Sequence, residues 1–343
     1  LLQGGVHEAW SKPLVRYRHE PSRRFFHAAQ PALRPVSSTI SRVDGVAAPA
    51  NLTGLRAVID DYYELTKPRI IYLLLITTFA AMLMAERGLP PLWLTLCTLI
   101  GGALASASAG AFNCVWDRDI DRLMRRTKTR PVAAGRISVR AALIFGVVTG
   151  CAAFALLAIC VNPLAGWLAA AGNAYYVIIY TMWLKRRTPL NIVIGGAAGA
   201  LPPLVGWAAV TGTLDWPAAA LFGLIFLWTP PHFWALALMT DIDYDKANIP
   251  MLPNVAGVKR TKLEILAYSV LLVALSLALY PLHVLGPCYF GAAAVLGAIF
   301  IYDAWKIVGD PTKRWPRAMF QYSLLYLALM CAAMVADRLI HIT

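Results

Sequence analysis

Residues 141–184 contain no Asp, Glu, Lys or Arg, and neither do residues 265–302. At about 20 residues per bilayer crossing, each run is long enough for two membrane helices and too long for one. Asn162-Pro163 divides the first run, and the segment between Pro281 and Pro287 divides the second. Cutting the rest at charges and at Pro, Gly and Asn adds spans at about 66–85, 91–113, 190–210, 217–239 and 318–336, nine in all. Composition agrees. Only 14% of residues are charged, mean hydropathy is +0.60, and soluble domains run at about 25% charged. The expected fold class is an all-α integral membrane protein. The six cysteines are scattered without a Cys-x-x-Cys and lie mostly in apolar runs, so they read as small core residues.

Residues 1–60 differ in composition, with Arg16, Arg18, Arg23, Arg24, Arg34 and Arg42 among repeated prolines. They are expected to form a basic, largely disordered tail preceding a membrane domain over 61–343. The tail is cytoplasmic on one reading. On the other it resembles a mitochondrial transit peptide, acid-poor and bearing Arg and Ser. The net charge of +13 does not indicate nucleic acid. Under strict alternation of nine spans, 29 of the 31 Lys and Arg fall on one side and only Arg87 and Arg338 on the other. The positive-inside rule then places the N-terminus in the cytoplasm (or matrix) and the C-terminus outside.

The chemistry gathers on that basic side. Asn113, Asp117 and Asp121 recur every fourth residue at the end of the second span. On a helix they share one face, drifting ~40° per step. Arg122, Arg125, Arg126, Lys128 and Arg130 follow. Oxygen ligands for a hard cation beside guanidiniums suited to phosphate are what a magnesium–pyrophosphate site requires. A solvated loop obeying the positive-inside rule explains the basic residues equally well, but not the three spaced oxygen donors.

A second acidic group, Asp241, Asp243 and Asp245, follows the sixth span, four helices after the first. Two halves facing one cavity would bring the groups together. Lys185, Arg186 and Arg187 form a short loop on the same side, read either as a topology anchor or as a phosphate contact. His232 lies within the sixth span after Pro230-Pro231. It is either a hydrogen-bonded core residue or a contact to a polar acceptor. Glycines 101, 102, 195, 196 and 199 suggest close helix packing.

These motifs resemble the UbiA-type intramembrane prenyltransferases. The likeness starts in Asn113-x3-Asp117-x3-Asp121 with Arg126-Thr127 and Arg130-Pro131. It continues in YYELTKPRI at 62–70, VNPL at 161–164, IGGAAGALPPLVGWAAVTG at 194–212, WTPPHFWALAL at 228–238 and DYDKANIPMLPNVAG at 243–257. The ending RTKTRPVAAGRIS is similar to the branch that farnesylates protoheme IX, the heme O synthases. The resemblance implies nine helices around a central cavity. It implies Mg2+ as cofactor, farnesyl diphosphate and heme b as substrates, and the lipid bilayer as environment. Heme A synthase or cytochrome oxidase assembly proteins would be partners. Asn113, Asp117, Asp121 and Asp243 would be catalytic. Metal would be held by Asn113, Asp117 and Asp121, with Asp241, Asp243 and Asp245 as alternatives in the second group. Arg126, Arg130, Lys185, Arg186, His232, Tyr244 and Lys246 would contact substrate. The membrane would be the plasma membrane, or alternatively the mitochondrial inner membrane. Rival readings are a related enzyme acting on an aromatic quinone precursor, a transporter and a heme-binding chaperone. A transporter would need ionisable residues near the bilayer midplane, and spans three to nine have essentially none there.

Overall fold

The computed structural model describes residues 54–340. Residues 1–53 of the expected tail lie outside the described residues. The expected boundary at residue 60 is not where folded structure begins. Residues 55–60 open helix α1 (Leu55–Leu65). Prolines stop at Pro49 and resume at Pro68, and Leu55, Val58, Ile59, Tyr62 and Leu65 recur at helical spacing between them.

Twelve further α-helices follow. These are α2 (Pro68–Glu86), α3 (Leu92–Trp116), α4 (Arg118–Leu123), α5 (Val139–Cys160), α6 (Pro163–Ala174) and α7 (Asn191–Thr211). The remainder are α8 (Trp216–Met239), α9 (Asp241–Lys246), α10 (Leu252–Val255), α11 (Gly257–Ala278), α12 (Pro287–Gly309) and α13 (Arg314–Ile340). Among the described residues eight helices are long and apolar enough to cross a membrane: α2, α3, α5, α7, α8, α11, α12 and α13. The count differs from nine at one place. Residues 163–184 are helical throughout, but α6 passes into a π-helix at Tyr175–Leu184. Neither piece alone has the length of a crossing. The chain is a multi-pass membrane protein. Ile76, Ile100, Ile144, Val148, Leu271 and Val295 face outward, as a lipid solvent favours.

Each half repeats one order of neighbours. In the first, α2 packs on α3, α3 on α5 and α5 on α6; in the second, α7 packs on α8, α8 on α11 and α11 on α12. Helix α7 joins the halves by packing on both α2 and α6, and α13 closes the second half against α12, α8 and α2. Gly206 sets the closest approach to the backbone of another helix. A Cβ there would lie 2.2 Å from the carbonyl oxygen of Thr78 in α2. The expected glycine packing is uneven. Gly196 abuts Thr229 and Gly101 abuts Leu157, whereas Gly199 faces open space.

The starts of α5 and α6 are closed by their own N-cap side chains. Ser138 accepts from Ala141 N at 3.2 Å, and Asn162 from Ala165 N at 2.9 Å. At the start of α12, Asp337 of α13 accepts from Gly286 N at 2.5 Å and Tyr289 N at 3.1 Å.

A side chain at Gly206 must push α2 away from α7, since a carbonyl cannot yield as a flexible side chain can. Gly206→Leu is expected to destabilise the protein by about 3 kcal/mol, with Gly199→Ala near neutral. Thermal unfolding of the detergent-solubilised variants checks this.

Candidate active site

Helix α3 does not run unbroken through the first motif. It ends at Trp116, and Asp117 sits between α3 and α4 with φ −86° and ψ 2°. The i to i−4 bonding still continues. Asp117 N donates to Asn113 O at 2.9 Å and Asp121 N to Asp117 O at 2.8 Å. The three side chains therefore stay on one side of the chain, and all are buried at 2% exposure or less.

A carboxylate removed from water needs partners, and each of these polar groups has them. The side-chain amide of Asn113 donates to Asp117 Oδ2 at 2.9 Å and to Thr181 Oγ1 at 3.0 Å, while Lys67 Nζ donates to its Oδ1. Lys185 Nζ donates to Asp117 Oδ2. Arg130 Nη1 reaches both oxygens of Asp121 at 2.9 Å. Arg186 grips Asp119 with two bonds of 2.7 Å and lies 3.9 Å from Asp117 Oδ1. Hydrogen bonds from Arg186 hold the Asp119 carboxyl down at about 2. Burial would strip Lys185 of its proton, but Asp117 and then Tyr180 outweigh it and raise the ammonium above its ordinary value. Burial likewise opposes the charge of Arg130, and Asp121 restores it.

Lys67, Arg130, Lys185 and Arg186 together exceed the three carboxylates Asp117, Asp119 and Asp121 by one positive charge. The mouth is thus set for an anion even with its carboxylates satisfied. Two buried atoms of this mouth have no hydrogen-bond partner, Asp117 Oδ1 and Arg186 Nε. An anionic oxygen without a hydrogen bond in a buried site suits a hard cation, so Asp117 fits Mg2+ as one ligand.

The structure adds residues that the sequence reading did not single out. Lys67 is held in the left-handed region at φ 59°, an uncommon conformation for a side chain of this size. Gly110 makes this possible. A Cβ there would lie 3.1 Å from Thr66 O and 3.2 Å from Leu65 O, so its absence lets the α1–α2 link settle on α3 beside Asn113. Thr181 lay hidden in the uncharged run. The π-helix, a form often found at functional sites, carries it together with Tyr176 and Tyr180 and leads directly into Lys185.

The second acidic group is less engaged. In α9, Asp243 is half-buried and Tyr244 is buried in the same core as Ile120 and Met124, while Asp245 and Lys246 are exposed. The side chain of Asp241 lies outside the described residues. Among the described residues, no three His, Cys, Asp or Glu side chains close into a metal-binding group. The carboxylates of the first group are turned to Lys185 and Arg130. Arg126 is exposed and makes no ion pair among the described residues. His232 is buried between Trp228 and Phe320, with ring centroids at 4.4 and 4.7 Å, and its Nδ1 lies 2.7 Å from Ser323 Oγ. That is the hydrogen-bonded packing left open as one alternative.

Comparison with known proteins agrees with this architecture. Residues 74–329 match the model of the UbiA prenyltransferase family. The chain is 55% identical over 285 residues to the protoheme IX farnesyltransferase of Synechocystis sp., covering 82% of this chain and 90% of that one. It is 53% identical over 286 residues to the protoheme IX farnesyltransferase of Gloeobacter violaceus, covering 83% and 94%. Among solved structures, a digeranylgeranylglyceryl phosphate synthase superposes with TM-score 0.69 at 20% identity, over 82% of this chain and 98% of that one. A UbiA homolog from Archaeoglobus fulgidus bound to GPP and Mg2+ gives 0.56 at 20% identity, over 80% and 99%. A match over three-quarters of the length, with curated relatives above half identity, means that this chain belongs to the UbiA prenyltransferase family.

Proposed function

We propose that the protein transfers the farnesyl group of farnesyl diphosphate to a vinyl group of heme b, yielding heme O and diphosphate. The observation that carries this reading is the 55% identity, over nearly the whole membrane domain, to a protein known as a protoheme IX farnesyltransferase. The site's chemistry is consistent with it. The C–O bond of the allylic diphosphate breaks, and the electron pair leaves with the diphosphate. The vinyl carbon attacks the allylic cation, and the resulting carbocation takes up water, releases a proton and becomes a hydroxyethylfarnesyl group. No protein base is needed to form the carbon–carbon bond. The protein's task is to stabilise the leaving anion and keep stray water away.

Lys67, Arg130, Lys185 and Arg186 supply fixed positive charge beside the leaving group, and Arg126 and Lys246 add mobile charge at the rim. Mg2+, when bound, would neutralise diphosphate charge from the side of Asp117 and Asp121, with Asn113 and Asp243 as further oxygen donors. Asn113 also orients Asp117 through its amide, and Tyr244 braces α9 against the core. Ser323 Oγ–H donates to Phe320 O at 2.8 Å, so its oxygen accepts from His232 Nδ1–H. That tautomer leaves Nε2 as an acceptor, and we assign it to the heme substrate. The basic side, with the N-terminus, faces the cytoplasm or matrix, and the C-terminus lies opposite. The plasma membrane is the proposed location, with the mitochondrial inner membrane as the alternative. Proteins of heme A and oxidase assembly are the proposed partners.

Asp117→Ala should lower heme O formation by about a hundredfold or more while the protein still inserts. Mass analysis of hemes from a host lacking its own enzyme reads the result. Normal heme O in that variant, or a prenylated aromatic acid as the only product of the wild type, would overturn the reading. In the second group, Asp243→Asn should lose most activity, and Asp245→Asn, on an exposed side chain, should stay within about threefold of wild type. The same assay ranks them.

A further inference from the structure

Helix α1 is tied to the basic loop between α4 and α5 through Arg136. Arg136 spends all three of its guanidinium nitrogens there. Its Nε donates to Asp61 Oδ1 at 2.6 Å, its Nη2 to Glu64 Oε2 at 2.8 Å and its Nη1 to the carbonyl oxygen of Thr129 at 2.8 Å. Thr129 directly precedes Arg130, whose guanidinium holds Asp121. The tight turn that presents Arg136 passes through Gly135 at φ 79°, with Arg136 N bonded to Pro131 O at 2.8 Å. An apolar contact reinforces the tie. Leu65, at the end of α1, is fully buried with Val132 and Ile137 of the same loop and with Ala111, Cys114 and Val115 of α3. Two residues beyond the end of α1, across Thr66, Lys67 reaches Asn113.

Two of the four cations at the mouth thus depend on α1. Lys67 depends on it through the chain, and Arg130 through Arg136. Surface ion pairs alone hold little, but Arg136 is three-quarters covered, and a planar fork with three partners fixes direction as well as distance. We propose that Arg136, anchored by Asp61 and Glu64 of α1, is a positioning residue that aims Arg130 at the diphosphate, and that α1 is thereby part of the diphosphate site. This rests on the prenyl-transfer reading above for the identity of the anion, and on nothing about the acceptor.

The test uses the full chain in lipid nanodiscs and measures binding of inorganic diphosphate in the presence of Mg2+, together with the KM for farnesyl diphosphate. Arg136→Met keeps the volume and removes every donor. It should weaken diphosphate binding and raise KM by about tenfold, the scale of lost support to a ligand-holding residue. In an Arg130→Lys background the same change should shrink to less than about twofold, because its effect passes through Arg130. Arg136→Lys should restore part of the loss. Unchanged diphosphate binding in Arg136→Met overturns the proposal. So does an equal loss in both backgrounds with a lowered unfolding temperature, which marks a structural role only. Failure of the wild type itself to bind diphosphate would instead count against the prenyl-transfer reading.

Discussion

Asp117 is a fully buried carboxylate at the end of a membrane helix, and the rest of the site is arranged around that fact. An ionised carboxylate withdrawn from water is tolerated only when charge and hydrogen bonds replace what solvation gave. Lys185 supplies the charge and Asn113 the hydrogen bond, and both come from elements whose placement is otherwise unusual. Lys185 follows a ten-residue π-helix, and Asn113 is itself braced by Thr181 of that helix and by Lys67 in a left-handed backbone. One oxygen of Asp117 stays bare. The bundle therefore delivers a site with one positive charge in excess for an anion and one carboxylate oxygen, Asp117 Oδ1, left without a hydrogen bond.

The same logic explains why the carboxylates do not cluster. Three anionic side chains brought together without a metal would repel one another in a medium that screens poorly. Asp117, Asp119 and Asp121 instead each face a separate cation: Lys185, Arg186 and Arg130. Asp243 remains half-buried on its own short helix. The basic loops thus serve as internal counter-ions, a role that neither reading of Lys185 and Arg186 from the sequence, topology anchor or phosphate contact, had named.

Much of this was legible in the sequence, for identifiable reasons. Uncharged runs and their proline breaks report directly on membrane helices, so the ends of α3, α7 and α8 lie close to where charge and glycine placed them. The fourth-residue spacing from Asn113 to Asp121 survives the break at Asp117 because the i to i−4 bonds continue across it. Lys185 and Arg186 were visible as charge but not as partners of Asp117 and Asp119, since pairing across 67 and 68 residues of chain leaves no local periodicity. The π-helix was invisible. Its sequence, YYVIIYTMWL, is as apolar as any α-helical span and carries no local signal for the wider turn. The first half of helix α1, residues 55–60, was absorbed into the tail because arginine and proline dominate the residues before it, although Leu55, Val58, Ile59 and Tyr62 already recur at helical spacing.

The contact of Asp337 with the start of α12 also bears on the order of assembly. The backbone donors of Gly286 and Tyr289 open a helix that begins on the face opposite the active site, and the group that satisfies them arrives 51 residues later than Gly286, near the end of α13. While the chain is being made, α12 therefore enters the membrane with its leading donors open to water or lipid headgroups. They close only when the last crossing is complete and correctly oriented. A chain whose final helix stops short or inserts the wrong way round would keep that end frayed, and would present a recognisable defect to the machinery that removes incomplete membrane proteins.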